Sequence, residues 1–268
     1  MSYELFMSAI VGDTDAAKAR ALLGGFTEMR ERHQITRVQH YELHDTAAKG
    51  LPTIKQIQKE RRPTAPQWHE LHQILAKQPF ILQMRTDITD EAQKKAPNAA
   101  AGGEAASNAP AGSDSGQPCA LRWTDLPDPQ NPQFPFITQR RVLDIADQDA
   151  QTILAANKFR ATSNIIEESY SWWLNGVEYS LTRMFQLALD ADPSAQVPDL
   201  ASLKPFAPFW ILIVRAKIDS LPTASMPTRM KQAQAHLAQA RDRLLGIFEF
   251  KVFDRRCHDT RIQETRTA

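Results

Sequence analysis

The chain has 268 residues, with Lys+Arg 32 against Asp+Glu 31 for a formal net charge of +1, and 42% hydrophobic and 24% charged residues. This ordinary globular composition can bury a real core, and it excludes both a disordered chain and a bulk electrostatic nucleic-acid binder, whose phosphate contacts need a basic excess. The two cysteines, Cys119 and Cys257, exclude a disulfide framework and a thiolate zinc site and suit a reducing compartment, while the longest apolar run, Phe209 to Val214, is too short to cross a bilayer.

The opening segment MSYELFMSAI carries Glu4 and no basic stretch, so it reads as structure and not as a signal peptide. Tyr3, Leu5, Met7, Ala9 and Val11 alternate along it and predict a strand. From Asp13 as N-cap, Ala19, Leu22, Phe26 and Met29 recur at helical spacing. Residues 45–66, with Pro52, Pro63 and the basic run Lys55 to Arg62, read as a soft insertion. That run reads as a solvated basic loop in preference to a nuclear-import patch. A short helix follows near Trp68–Lys77. Phe80, Leu82, Met84, Thr86 and Ile88 then form the apolar face of a second strand. Residues 91–118 are built mainly from Ala, Gly, Ser, Asn and Pro without a large apolar side chain, so they predict a flexible insertion inside one domain spanning 1–268.

A further short helix is expected at Asp149–Ala156. Asn175-Gly176, between two strand-like arms, predicts a type I′ hairpin that opposes Leu174 to Val177, Trp172 to Tyr179 and Tyr170 to Leu181. The same register sets Glu168 opposite Arg183 as an ion pair. One face is then apolar and the other carries Glu167, Ser169, Ser171, Ser180 and Thr182, with Trp173 as an outlier. Trp210, Leu212, Val214, Ala216 and Ile218 mark another strand. Met230, Ala233, Leu237, Ala240 and Leu244 mark a helix opened by Pro227 and capped by Gly246, and Phe248, Phe250 and Val252 mark a last strand. Long antiparallel strands with few helices predict a mainly β, α+β chain folded as a closed or nearly closed barrel, because closure removes exposed edges.

No chemistry-bearing motif emerges. GxGxxG and GxxxxGK[ST] are absent, and WHELH, with His69 and His72, lacks the further ligands a zinc site needs. His40 and His44 lack cysteine or carboxylate companions. Asp144, Asp147 and Asp149 read as helix capping, since the glycine and glutamate of a calcium loop are missing. Glu167 and Glu168 are adjacent on a strand and point apart. Cys257, between Arg256 and His258, reads as a bystander thiol. No cofactor, metal or catalytic residue is expected.

Several stretches carry a resemblance. YELFMSAIVGDTD, LRWTDLPDP, NIIEESYSWWLNGVEYSLTRMFQL, WILIVRAKID and FKVFDRRCHDTRI together resemble subunit 18 of the Mediator complex in its fungal form, in the same order over nearly the whole chain. The resemblance implies a non-enzymatic nuclear subunit of the Mediator head module, in the coactivator that links gene-specific regulators to RNA polymerase II. It implies pairing with subunit 20, tethering by a C-terminal helix of subunit 8, and no direct sequence-specific nucleic acid binding or membrane contact. It also implies a multi-stranded antiparallel barrel similar to the tunnel-shaped triphosphatases.

A tunnel-type triphosphate hydrolase is the rival reading, and it requires Glu-x-Glu-x-Lys on the first strand to hold a metal. Here those positions are Glu4, Phe6 and Ser8, and the hairpin offers an apolar face in place of a charged lining. A ligand-carrying barrel rests only on that apolar face, which packed side chains also explain. For the partner surface the sequence singles out Trp173 on the polar side of the hairpin, then Phe209 and Ile211 opposite the Trp210 face, then Phe253 beside Asp254.

Overall fold

The computed structural model describes residues 1–44, 50–60, 62–90, 119–187, 200–219 and 226–262. The expected insertion at 91–118, and residues 45–49 and 61 of the first soft region, lie outside them. Asn175 and Gly176 both adopt positive φ, 52° and 76°, so the turn that the Asn-Gly pair predicts forms. It joins β6 (Phe159–Leu174) to β7 (Val177–Gln186) with Trp172 opposite Tyr179 and Tyr170 opposite Leu181.

The remaining strands are β1 (Ser2–Gly12), β2 (Arg32–Leu43), β3 (Leu82–Asp87), β4 (Cys119–Thr124), β5 (Thr138–Ile145), β8 (Phe209–Asp219) and the short β9 (Phe250–Lys251). All pair antiparallel in the order β5-β4-β3-β2-β6-β7-β8-β1, and β1 pairs back onto β5 to close an eight-stranded barrel. That closing seam is short, running from Ser2 opposite Val142 to Phe6 opposite Thr138. Beyond it, β9 takes over the same edge of β1, with Ser8 opposite Lys251 and Ala9 opposite Phe250. The C-terminal segment therefore fills the gap that β5 leaves. It is stitched down by backbone bonds from Ile81 N to Thr260 O and from Ile262 N to Pro79 O.

Two helix-covered cores lie outside the barrel wall. On one side α1 (Ala16–Thr27) and the long C-terminal helix (Met226–Arg243) cover Leu5, Met7, Trp172, Tyr179, Leu212 and Val214. On the other, short helices at Ile54–Lys59, Ala65–Leu75 and Ala150–Ala156 cover Leu82, Met84, Leu121, Trp123 and Ile145. The uniformly apolar faces of the strands thus point outward under helices, and the faces that point into the barrel are mixed, charged at mid-height and apolar toward one end. The expectation of an apolar inner face is corrected: period two separates two faces, and closure decides which is concave.

Other expectations shift locally. Within 45–66, Leu51 and Ile57 are buried against Trp68 and Leu71, so the described part of this region is packed structure. Gly50 (φ 71°) permits it, because a Cβ there would lie 2.6 Å from Nδ1 of His72, whose same atom accepts from Leu51 N at 2.8 Å. Asp13–Asp15 form a 3-10 turn before α1, and Met29 lies past the helix end, exposed. The last strand is only two residues long, with Val252 exposed, because the chain turns away to run along the seam.

Trp172 is 1% exposed and Trp173, its neighbour on the other face, 36%. Trp172→Ala is expected to cost about 3–5 kcal/mol in urea denaturation, as other large-to-small aromatic core changes do. Trp173→Ala is expected to cost under about 1 kcal/mol. Equal losses would contradict the assignment of faces.

Candidate functional site

Alternate residues of β1 point inward, and Glu4, Phe6, Ser8 and Ile10 share one cavity wall. Arg122 reaches Glu4 from β4, although β5 separates the two strands, so their contact crosses the barrel interior. Glu4 is 3% exposed and sits among three arginines. Arg140 on β5 donates to its Oε2 from Nε at 2.8 Å, and its Nη2 lies 2.7 Å from the same oxygen. Arg215 on β8 and Arg122 approach Oε1 at 3.6 and 3.8 Å. Burial alone would raise the Glu4 carboxyl, but Arg122, Arg140 and Arg215 more than offset it and hold it at about 2.

The network continues outward. Arg122 Nε donates to Asp144 at 2.8 Å, and Lys217 donates to the other oxygen of Asp144 at 2.8 Å. Asp144 is held at about 2, its burial overcome first by Arg122. Arg215 forks onto Glu178 at 2.7 and 3.0 Å. Arg85 on β3 clasps Glu167 on β6. Each carboxylate is neutralised by the arginine or lysine of another strand, so the interior acts as an electrostatic bolt through the barrel.

Above this layer opens a cavity of about 390 Å³. Its walls are Phe6, Ile10, Met184, Phe209, Ile211 and Ile213, its floor holds Glu4, Arg140 and Arg215, and the C-terminal segment contributes Phe253, Cys257 and His258. Three of the four candidate partner residues, Phe209, Ile211 and Phe253, therefore meet in one concavity as half-buried walls. Trp173 stands apart, opposite Glu178 one step from the hairpin turn.

Several sequence readings need correction here. The register sets Glu168 opposite Arg183, yet Glu168 accepts from Tyr170 Oη at 2.9 Å and lies 3.1 Å from His33 Nε2. Arg183 instead donates to Asp13 at 2.9 Å. Of the acidic trio only Asp147 serves the helix start, its Oδ1 accepting from Asp149 N at 3.1 Å while its Oδ2 accepts from Trp68 Nε1 at 2.9 Å and Thr64 Oγ1 at 2.8 Å. Asp149 makes no side-chain cap bond, and Asp144 belongs to the interior network. Arg62, last residue of the basic run, is tied to Glu60, Asp147 and Asp149.

The charged interior escaped the sequence reading because Glu4 and Arg140 lie 136 residues apart. So did a His40–Ser163 contact of 2.6 Å, whose other ring nitrogen faces Gln83 at 3.4 Å; among the described residues no carboxylate hydrogen-bonds to this ring. Burial holds the His40 ring below its ordinary value despite Glu167, and no hydrogen-bonded acid orients it as a base. Among the described residues, no three His, Cys, Asp or Glu side chains converge as a metal site.

The geometry defines an antiparallel barrel whose interior ion pairs serve cohesion and whose described residues assemble no catalytic constellation. The chain belongs to the Med18 family, matching Med18 protein over residues 3–261. No curated protein matches it in sequence. Among solved structures it is similar to a chain in the structure of the Schizosaccharomyces pombe Mediator head module, at 12% identity and TM-score 0.59, over 97% of this chain and 100% of that one. A putative adenylyl cyclase from Hippeastrum with a dominant triphosphatase activity is similar at 10% identity and TM-score 0.40, over 97% of each chain. A conserved hypothetical protein of Pyrococcus furiosus is similar at 10% identity and TM-score 0.40, over 92% of this chain and 94% of that one.

The depressed Glu4 value has a thermodynamic consequence. A carboxyl at about 2 when folded and 4.5 ordinarily contributes stability that is full above pH 4.5 and lost as pH falls toward 2. Glu4→Gln is expected to cost about 3 kcal/mol at pH 7, since it strands buried arginines, and to flatten the acid limb of a urea-stability profile. An acid limb identical to that of the parent chain would contradict the network.

Proposed function

We propose that this protein is a non-enzymatic subunit of the Mediator head module, acting in the nucleus to couple gene-specific regulators to RNA polymerase II through protein–protein contacts. The observation that carries the reading is the family match over residues 3–261, supported by a barrel interior whose carboxylates are spent on arginines. Residues 1–268 act as one barrel domain. Its partners are subunit 20 and a C-terminal helix of subunit 8.

The rival triphosphate hydrolase fails on the donor set. Glu4, Phe6 and Ser8 do face the interior, at the positions where a tunnel enzyme needs two carboxylates and a lysine. The one carboxylate present is paired to Arg140 through Oε2, and Arg215 and Arg122 stand 3.6 and 3.8 Å from its Oε1, so the positive charge around it opposes a divalent ion. Function is decided by this site and not by the barrel that carries it.

Subunit 20 docks over at least one of Trp173, Phe209, Ile211 and Phe253. Interfaces concentrate their energy in a few aromatic anchors, and Trp173 is the exposed one of the four. Affinity purification of the tagged chain from nuclear extract, followed by mass spectrometry, is expected to recover head-module subunits. Single Asp substitutions at the four positions, co-expressed with subunits 20 and 8, are expected to include one that stays folded by circular dichroism yet loses its partner. If every folded variant keeps both partners, the interface lies elsewhere.

A further inference from the structure

We propose that the barrel cavity is a binding site for a small amphipathic monocarboxylate, with its carboxylate on Arg140 and His258 and its apolar chain along Phe6, Ile10 and Ile211. The volume suits such a ligand. About 390 Å³ falls within the roughly 300–1,000 Å³ typical of ligand pockets. At about 30 Å³ per non-hydrogen atom, it holds on the order of a dozen atoms.

Charge selects the class. The connected interior cluster sets four cations, Arg122, Arg140, Arg215 and Lys217, against three carboxylates, Glu4, Asp144 and Glu178. One positive charge is left over at the floor of an otherwise apolar cavity. Arg140 is its natural bearer. A guanidinium has five N–H donors, and Glu4 takes that of Nε, with Nη2 in ion-pair contact at 2.7 Å and Nη1 outside the pair. Its Cζ also lies 4.9 Å from the centre of the Phe6 ring, which forms the cavity wall.

A second polar atom stands beside it. His258 meets the same Phe6 ring edge-on at 5.3 Å, and its Nε2 is buried without a hydrogen-bond partner among the described residues. A buried polar atom left alone costs free energy that a bound oxygen would recover. One carboxylate satisfies both needs: it accepts from Arg140 and from the Nε2–H tautomer of His258, and it cancels the single residual charge. A triphosphate brings several charges to walls that offer one and are otherwise apolar, so it does not fit.

The inference does not depend on the assembly reading, and it is tested on the full chain alone. Calorimetric titration uses decanoate, decanol and decyltrimethylammonium, all below their micelle concentrations. Saturable one-to-one binding of decanoate is expected, with decanol at least about tenfold weaker, the loss of one charge-assisted hydrogen-bonded contact, and no binding of the cation. Arg140→Gln is expected to weaken decanoate about tenfold and leave decanol unchanged. Because that variant also unpairs Glu4, Ser8→Phe and Ile213→Trp serve as cavity-filling controls outside the ion network, and each is expected to abolish binding. Equal affinity for decanoate and decanol, unchanged binding in both filled variants, or no saturable binding at all would overturn the proposal. So would saturation by an acidic apolar peptide but not by decanoate.

Discussion

Glu4 is the pivot of this fold. It is a carboxylate on the first strand, almost fully buried, and it draws arginines from three other strands into the barrel interior. A closed barrel must fill its inside with something, and a small one usually does so with packed apolar side chains. Here the filling is ionic at mid-height and apolar toward one end. The apolar faces that would otherwise supply an inner core are instead used outside, where helices cover them. The two choices are linked, because each strand has only two faces and one sequence period to assign them.

That linkage explains the chain's functional character. Buried charges are costly unless paired and hydrogen-bonded, so each interior carboxylate is committed to a partner. A tunnel enzyme needs the opposite, namely carboxylates left available for a metal and cations left available for phosphate. The barrel and its inward-facing positions are compatible with such chemistry, but the residues placed there are not. The C-terminal segment becomes part of the wall by completing the β1–β5 seam.

Much of this was legible in the sequence, and the failures have physical causes. The Asn-Gly turn is a local signal, so the hairpin and its register follow from two residues whose φ values the turn demands. Period-two runs likewise mark β1, β6, β7 and β8. They cannot tell inside from outside: the faces of Trp172 and Ser171 are distinguished by polarity, but only closure makes the polar one concave. The Glu168–Arg183 pairing failed because directly opposed side chains need not bond. His33 and Asp13, from neighbouring elements, offer better geometry. Phe209, Ile211 and Phe253 were singled out as apolar residues on a second face. Nothing local says that β8 and the C-terminal turn bring them into one cavity with Arg140.

The central claim is that the interior charges are structural and closed to metal-dependent phosphate chemistry. The most direct measurement is a calorimetric titration of the purified chain with tripolyphosphate in manganese, run alongside phosphate release from the same samples. The account predicts no saturable metal-dependent binding and no phosphate release. Binding and hydrolysis that require manganese and disappear in Glu4→Gln would contradict it.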